Sequence, residues 1–261
     1  MQRVYHVLKK LVRAVFFAFP KGDLIYGKMS RFIKRLKGDF STADQPLLSQ
    51  NLTTKDIFTY YYKDNFWGNP ESLSGGGSTL EYTENIRREI PKLVREYDIK
   101  IFLDAPCGDY NWFQKVEKPN GMKYIGGDIV DQLIAQNQSR YTDSQTSFMS
   151  LDIINERLPS ADLWMCRDCL FHFSYEDIFK TLDNFVNSEI EYLFTSVHTN
   201  CTENTDILTG GVRLLNLELP PFNLCKPIVY IDDWIPNFHV RKMGLWTRAM
   251  IADSLATAIR P

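Results

Sequence analysis

The 261 residues are 44% hydrophobic, 13% aromatic and 24% charged, a profile that excludes a disordered or fibrous chain and suits one main α/β domain with an appendage. The net charge of −2 hides an asymmetry: residues 1–40 carry ten basic side chains against only Asp23 and Asp39, a surplus of +8 that leaves −10 on the remainder. An acidic body lacks the basic face that nucleic acid requires, so no nucleic-acid partner is expected. Five cysteines are an odd number in a chain too large to need disulfides, which points to reduced thiols in a cytoplasm.

In residues 1–45, Val4, Val7, Leu8, Leu11, Val12, Val15, Phe16 and Phe19 share one half of a helical wheel, with Arg3, Lys9, Lys10 and Arg13 on the other. This amphipathic helix suits packing on its own domain, an oligomer contact, or peripheral contact with an anionic inner-membrane surface. Residues 46–80 read as a linker with a short helix over 55–65. A loop follows whose Gly75-Gly76-Gly77 triplet serves as a lid or as a phosphate cradle. Ser78 and Glu81 match a capping box for a helix running to residue 97.

Residues 81–261 alternate short β-rich runs with helical ones. Strands are predicted at 101–105, 123–127, 146–151, 162–166 and 192–197, helices at 111–116, 131–138 and 175–186, and two closing strands at 228–231 and 242–251. The expected fold is a Rossmann-like, doubly wound, mostly parallel seven-stranded sheet with an N-terminal helical extension.

In such sheets ligands bind beyond the carboxyl ends of the strands, and those ends are acidic here. The first closes in Asp104-Ala105-Pro106-Cys107-Gly108-Asp109 and the second in Asp128; Asp152 follows the third, and Arg167-Asp168 the fourth. Asp128 is placed to accept from both hydroxyls of a ribose, and Asp152 from an adenine amine. The glycine pattern that lets a backbone approach a pyrophosphate is reduced to Gly108, so a phosphate-free adenosine compound fits better than a dinucleotide.

At these residues the chain resembles the class I S-adenosylmethionine-dependent methyltransferases. The Asp-Ala-Pro-Cys-Gly-Asp loop is similar to their acidic-x-Gly-x-Gly motif, with Pro106 and Tyr110 in place of the outer glycines. The run 162–173, with His172, is similar to their fourth strand and its sequel. The strings FWGNPESLSGGGSTLE, DAPCGDYNW, CRDCLFHF and TGGVRLLNLELPPF resemble a bacterial subgroup associated with capsule and other surface-polysaccharide biosynthesis. The resemblance implies S-adenosylmethionine as cofactor, held by Asp104, Ala105, Gly108, Asp128, Ile129, Asp152, Ile153 and Arg167, with Asp104 and Gly108 at its amino-acid end. It also implies a sugar or nucleotide-sugar acceptor.

Three side chains on the crevice rim are candidates for the proton-removing base: His172, His198 and Asp168. A histidine base predicts a rate that falls below a pKa near 6.5. Asp168 is expected to orient His172 or to bind an acceptor hydroxyl. The loop 199–225 supplies the candidate acceptor-binding residues Asn200, Arg213 and Asn216, with Arg213 suited to a phosphate. Cys166 and Cys169 form a lone Cys-x-x-Cys that cannot complete a zinc site, and no spacing requires a metal.

Overall fold

The computed structural model describes residues 52–119, 121–236, 238–258 and 260. The expected N-terminal amphipathic helix lies outside the described residues. Helix α1 spans Thr54–Lys63 and α2 Glu84–Glu96. The sheet then alternates with helices: β1 Ile101–Asp104, β2 Lys123–Asp128, α3 Asp131–Tyr141, β3 Thr146–Ser150, β4 Leu163–Cys166, α4 Tyr175–Val186 and β5 Tyr192–Val197. The chain closes with β6 Val229–Asp232, β7 Lys242–Thr247 and α5 Arg248–Leu255.

The strand order is β3-β2-β1-β4-β5-β7-β6, as expected for a doubly wound sheet. β1 pairs in parallel with both β2 and β4, placing Asp104 beside Gly126 on one side and Met165 on the other. β7 inserts antiparallel between β5 and β6, with Val197 opposite Lys242. The connection from β1 runs to β2 on one side and that from β4 to β5 on the other, so the carboxyl ends of these paired strands form the switch point at which such sheets bind ligands in a crevice.

Period-two alternation explains why both faces are covered. Along β4, Trp164 and Cys166 join one core with Phe185, Leu193, Trp246 and Ile251. Leu163 and Met165 join the opposite core with Ile86, Ile90, Phe102, Phe113 and Tyr124. A strand buried on both sides reads as a continuous apolar run, which is how it stands in the sequence.

Two predicted boundaries move. The helix expected from residue 78 starts at Glu84, because Gly76–Ser78 is a separate 3-10 turn and Thr83, at the N-cap, turns its hydroxyl to the Thr79 carbonyl and caps no helix N–H. The Ser78–Glu81 capping box is therefore not formed. The strand expected over 242–251 stops at Thr247, whose hydroxyl accepts from the Met250 N–H (3.2 Å) and starts α5. The helix expected at 111–116 is a 3-10 turn, Phe113–Lys115. Among the described residues no helix is long and apolar enough to cross a membrane.

These boundaries are testable by urea denaturation. Thr247→Ala should cost about 1 kcal/mol, the usual worth of a threonine cap. Glu81→Ala, on an exposed side chain with no cap to complete, should stay within about 0.5 kcal/mol of the native protein.

Candidate active site

The loop after β1 turns sharply at Gly108, whose φ of +55° lies in the left-handed region that favours glycine. Its N–H donates to Asp128 Oδ2 (3.1 Å), and its carbonyl accepts from Asn137 Nδ2 (2.8 Å). Asp128 Oδ1 accepts from the Val130 N–H (3.0 Å). Each oxygen of this buried carboxylate thus accepts one of these bonds and has capacity for another. Burial pushes Asp128 up to about 6, against the pull of the Val130 and Gly108 amides.

Asp104, at the end of β1, is buried and accepts from the Tyr124 hydroxyl (2.7 Å). Burial pushes its carboxyl up to about 8 despite that bond, so it holds its proton at neutral pH. Ala105 is fully buried behind it, and Ile153 lines the third strand end with 6% exposure. Ile129 connects Asp128 to the Val130 amide. Asp152 turns back into its own chain, accepting from the Ile154 N–H (2.9 Å) and from Asn155 Nδ2 (2.8 Å).

Arg167 does not face the crevice as a free cation. Its Nε and Nη2 donate to the two oxygens of buried Asp233 (2.8 and 3.0 Å), and Nη2 also donates to the Gly77 carbonyl (2.7 Å). Arg241 shares Asp233 (2.9 Å) and pairs closely with Asp168. Asp168, at a φ of +55°, also lies 3.3 Å from Arg167 Nη1. Burial acts to raise the Asp168 pKa but is outweighed by Arg241 and Arg167, which hold it below the ordinary value. This carboxylate is spent on two guanidinium groups and does not orient His172, as the sequence reading expected.

The orienting group is a backbone carbonyl. His172 ends a 3-10 turn, Leu170–His172, and its Nδ1–H donates to the Gly211 oxygen (2.8 Å). A carbonyl can only accept, so in the neutral ring the lone pair lies on Nε2. His198 is wired the other way: its Nδ1 accepts from the Leu215 N–H (3.2 Å), which leaves the proton on Nε2. Burial pulls both imidazoles down to about 4, so both are neutral at pH 7. In these neutral rings His172 Nε2 can accept a hydrogen bond and His198 Nε2–H can donate one.

The aromatic residues that pack on His172 were not singled out from the sequence. Phe58 of α1 and Trp67 pack on His172 with ring centres 6.4 and 5.0 Å away, and Tyr61 donates to the Gly210 carbonyl (2.8 Å). The glycine-rich segment is docked on the Gly108 loop. Asp109 accepts from Ser72 Oγ (2.9 Å), the Leu73 N–H (2.7 Å) and Ser74 Oγ (3.3 Å). A Cβ on Gly77 would meet Asp168 Oδ2 at 2.6 Å, so only glycine lets the segment approach the ion cluster this closely. FWGNPESLSGGGSTLE was the available signal, since a polar, glycine-rich string flanked by aromatics suits a segment lying over a site.

Of the acceptor candidates, Asn200 is exposed, while Asn216 caps its own loop through Oδ1 to the Glu218 N–H (3.0 Å). Asn204, missed in the sequence, organises that loop, reaching the Asn216 and Pro220 carbonyls (both 2.8 Å). Arg213 is buried beside Phe171 and Tyr175. Cys166 and Cys169 are buried thiols, with Cys166 inside β4.

No family model and no curated protein matches this sequence. Solved structures do match in fold. One is the magnesium protoporphyrin IX methyltransferase of Synechocystis PCC 6803 with bound S-adenosylhomocysteine, at a TM-score of 0.54 and 12% identity, covering 74% of this chain and 97% of that one. The same enzyme with bound S-adenosylmethionine matches at a TM-score of 0.52 and 13% identity, covering 77% and 99%. PigF with S-adenosylhomocysteine matches at 0.54 and 13%, covering 82% and 68%. The chain adopts the fold of the class I S-adenosylmethionine-dependent methyltransferases.

Two outcomes follow for the site. Asp109→Ala should release the segment 69–79, read as faster amide exchange there with β1 and β4 still protected. A folded Asp104 at about 8 keeps a proton that the unfolded chain loses near 4. Its contribution is therefore complete below about pH 4 and is lost as pH rises toward 8. Asp104→Asn should flatten that decline, measured as urea midpoints for both proteins between pH 5 and 8.

Proposed function

We propose that this protein is an S-adenosylmethionine-dependent methyltransferase that methylates a hydroxyl of a sugar or nucleotide-activated sugar, in capsular or other surface-polysaccharide biosynthesis. The cofactor assignment is supported by the donor set at the crevice: two buried carboxylates at neighbouring strand ends, one of them bound to the Gly108 amide. The lone pairs left on Asp128 suit two ribose hydroxyls. Asp104 suits the amino-acid end, where a cationic amino group would favour its ionised form, and Asp152 with Ile153 suits the adenine. Ala105 and Ile129 would contribute backbone and apolar wall. Arg167 would act from behind, by holding Gly77 and Asp168 in place.

The observation that carries the acceptor chemistry is the wiring of the two histidines. When bound, S-adenosylmethionine supplies an electrophilic methyl on a sulfonium, which needs alignment and the removal of one acceptor proton. His172 Nε2 offers the lone pair for that proton, the Gly211 carbonyl stabilises the imidazolium that results, and Trp67, Phe58 and Phe171 exclude water from the ring. His198 Nε2–H offers a donor to an acceptor oxygen. A base and a donor on one rim favour a hydroxyl acceptor. The polysaccharide context rests on the four quoted strings. Residues 1–40 would supply oligomer or membrane contact, and a cytoplasmic location follows from the same reading.

The test combines an assay and a titration. Native protein should release S-adenosylhomocysteine in the presence of hexoses or nucleotide sugars and yield a product heavier by one methylene. His172→Ala should lower kcat by about 10²- to 10⁴-fold with cofactor affinity unchanged, and His198→Ala should be the milder lesion. Asp128→Ala should weaken cofactor binding by about 1.5–3 kcal/mol, the scale of hydrogen bonds to a charged group. With His172 pulled down to about 4, the acid limb of the rate should lie well below the pH 6.5 that the sequence suggested. An acid limb at 6.5, or full activity in His172→Ala, would remove His172 as the base.

A further inference from the structure

Among the acceptor-binding candidates, Arg213 has buried donors whose hydrogen-bonding capacity is unmet. Its side chain is 8% exposed, and Nη1 donates to the Phe171 carbonyl (3.0 Å), as does its own backbone N–H (3.3 Å). The guanidinium lies 5.6 Å from the Tyr175 ring centre. Nε and Nη2 are buried without a hydrogen-bond partner. Asp206, a nearby carboxylate, is already engaged through Oδ1 with the N–H groups of Tyr175 (2.7 Å) and Ile207 (2.8 Å). Buried polar groups in folded proteins nearly always have partners, and a buried cation more so.

The chemistry of the missing partner can be read from a second arginine in this chain. Nε and Nη2 form one edge of a guanidinium, the edge with which Arg167 grips both oxygens of Asp233. That fork matches two oxygens of a carboxylate or a phosphate. In Arg213 the same edge is buried and makes no hydrogen bond to any protein group. The position is also significant: Gly211, two residues earlier, holds His172 Nδ1, and Phe171, which receives Arg213, adjoins His172 in the chain. One loop therefore sets both the candidate base and the unsatisfied cation.

We propose that the Nε/Nη2 edge of Arg213 is a bidentate subsite for an oxyanion carried by the methyl acceptor, a phosphate or a carboxylate, which ties the acceptor down beside His172. The acceptor is then an anionic sugar derivative, either nucleotide-linked or a uronic acid, and not a neutral glycan. The link to methyl transfer rests on the function proposed above; the oxyanion subsite does not.

The experiment follows the Nε–H resonance of Arg213 in nitrogen-15-labelled full-length protein, assigned by its disappearance in Arg213→Lys. Uridine diphosphate and glucuronate are titrated separately, with glucose as the neutral probe, and S-adenosylhomocysteine affinity is measured by calorimetry on the same samples. Saturable shifts with uridine diphosphate alone support a phosphate-bearing acceptor, and saturable shifts with glucuronate alone support a carboxylate. Arg213→Gln should weaken the effective anion by about 10- to 100-fold, the range for a hydrogen bond to a charged group, with S-adenosylhomocysteine affinity unchanged. Silence of the Nε–H resonance toward both anions, or a shift by glucose equal to theirs, overturns the subsite even if the glutamine variant fails to fold. Failure of the native protein to bind S-adenosylhomocysteine sinks the methyltransferase reading while the resonance still decides the subsite.

Discussion

The site depends on one hydrogen bond, from the Gly108 N–H to Asp128 Oδ2. It joins the loop after β1 to the end of β2, and it forces a carboxylate to sit buried where the sheet opens. Asn137 fixes the same glycine from the other side, and Asp109, the next residue, anchors the segment 72–74 on top. Replacing the Gly108–Asp128 link would therefore disturb the crevice floor and its cover together. The cost of burying Asp128 is offset by two amide donors, which is the usual condition for a carboxylate out of water.

A second buried cluster holds the opposite wall. Arg167, Asp168, Asp233 and Arg241 alternate in charge, and all but the half-buried Asp168 lie almost wholly out of solvent, with Tyr82 5.0 Å from Arg241 and Trp112 5.1 Å from Arg167. Such networks are weak sources of net stability but costly to break, because any single deletion strands a buried charge. Their value here is positional: Arg167 reaches Gly77 in the cover, and Asp168 and Arg241 tie β4 to β7. His172 and its neighbours are thus held on a frame whose unmet hydrogen-bonding capacity, among the described residues, includes His172 Nε2, His198 Nε2–H and the buried Nε/Nη2 edge of Arg213.

Much of this was legible in the chain. The parallel sheet follows from strand-length apolar runs alternating with helical periods, and Asp104, Gly108 and Asp128 stand out because strand ends in such sheets meet ligands. Local signals misled where tertiary contacts overruled them. Ser78 and Glu81 carry a capping pattern, yet Ser78 is drawn into the 3-10 turn Gly76–Ser78, where its carbonyl accepts from Asn111. The role of Asp168 could not be read either, because Arg241 and Asp233 lie more than sixty positions away in the sequence. The tautomers of His172 and His198 depend on Gly211 and Leu215, backbone groups in a loop without periodicity. No residue-type pattern encodes them.

The account stands on the crevice between β1 and β4 being an S-adenosylmethionine site. Calorimetric titration of the full-length native protein with S-adenosylhomocysteine, run beside an identical titration with NAD, tests this most directly. Saturable binding of one S-adenosylhomocysteine per chain, with no heat of binding from NAD, is the predicted result. Binding of NAD, or of neither compound, would contradict it.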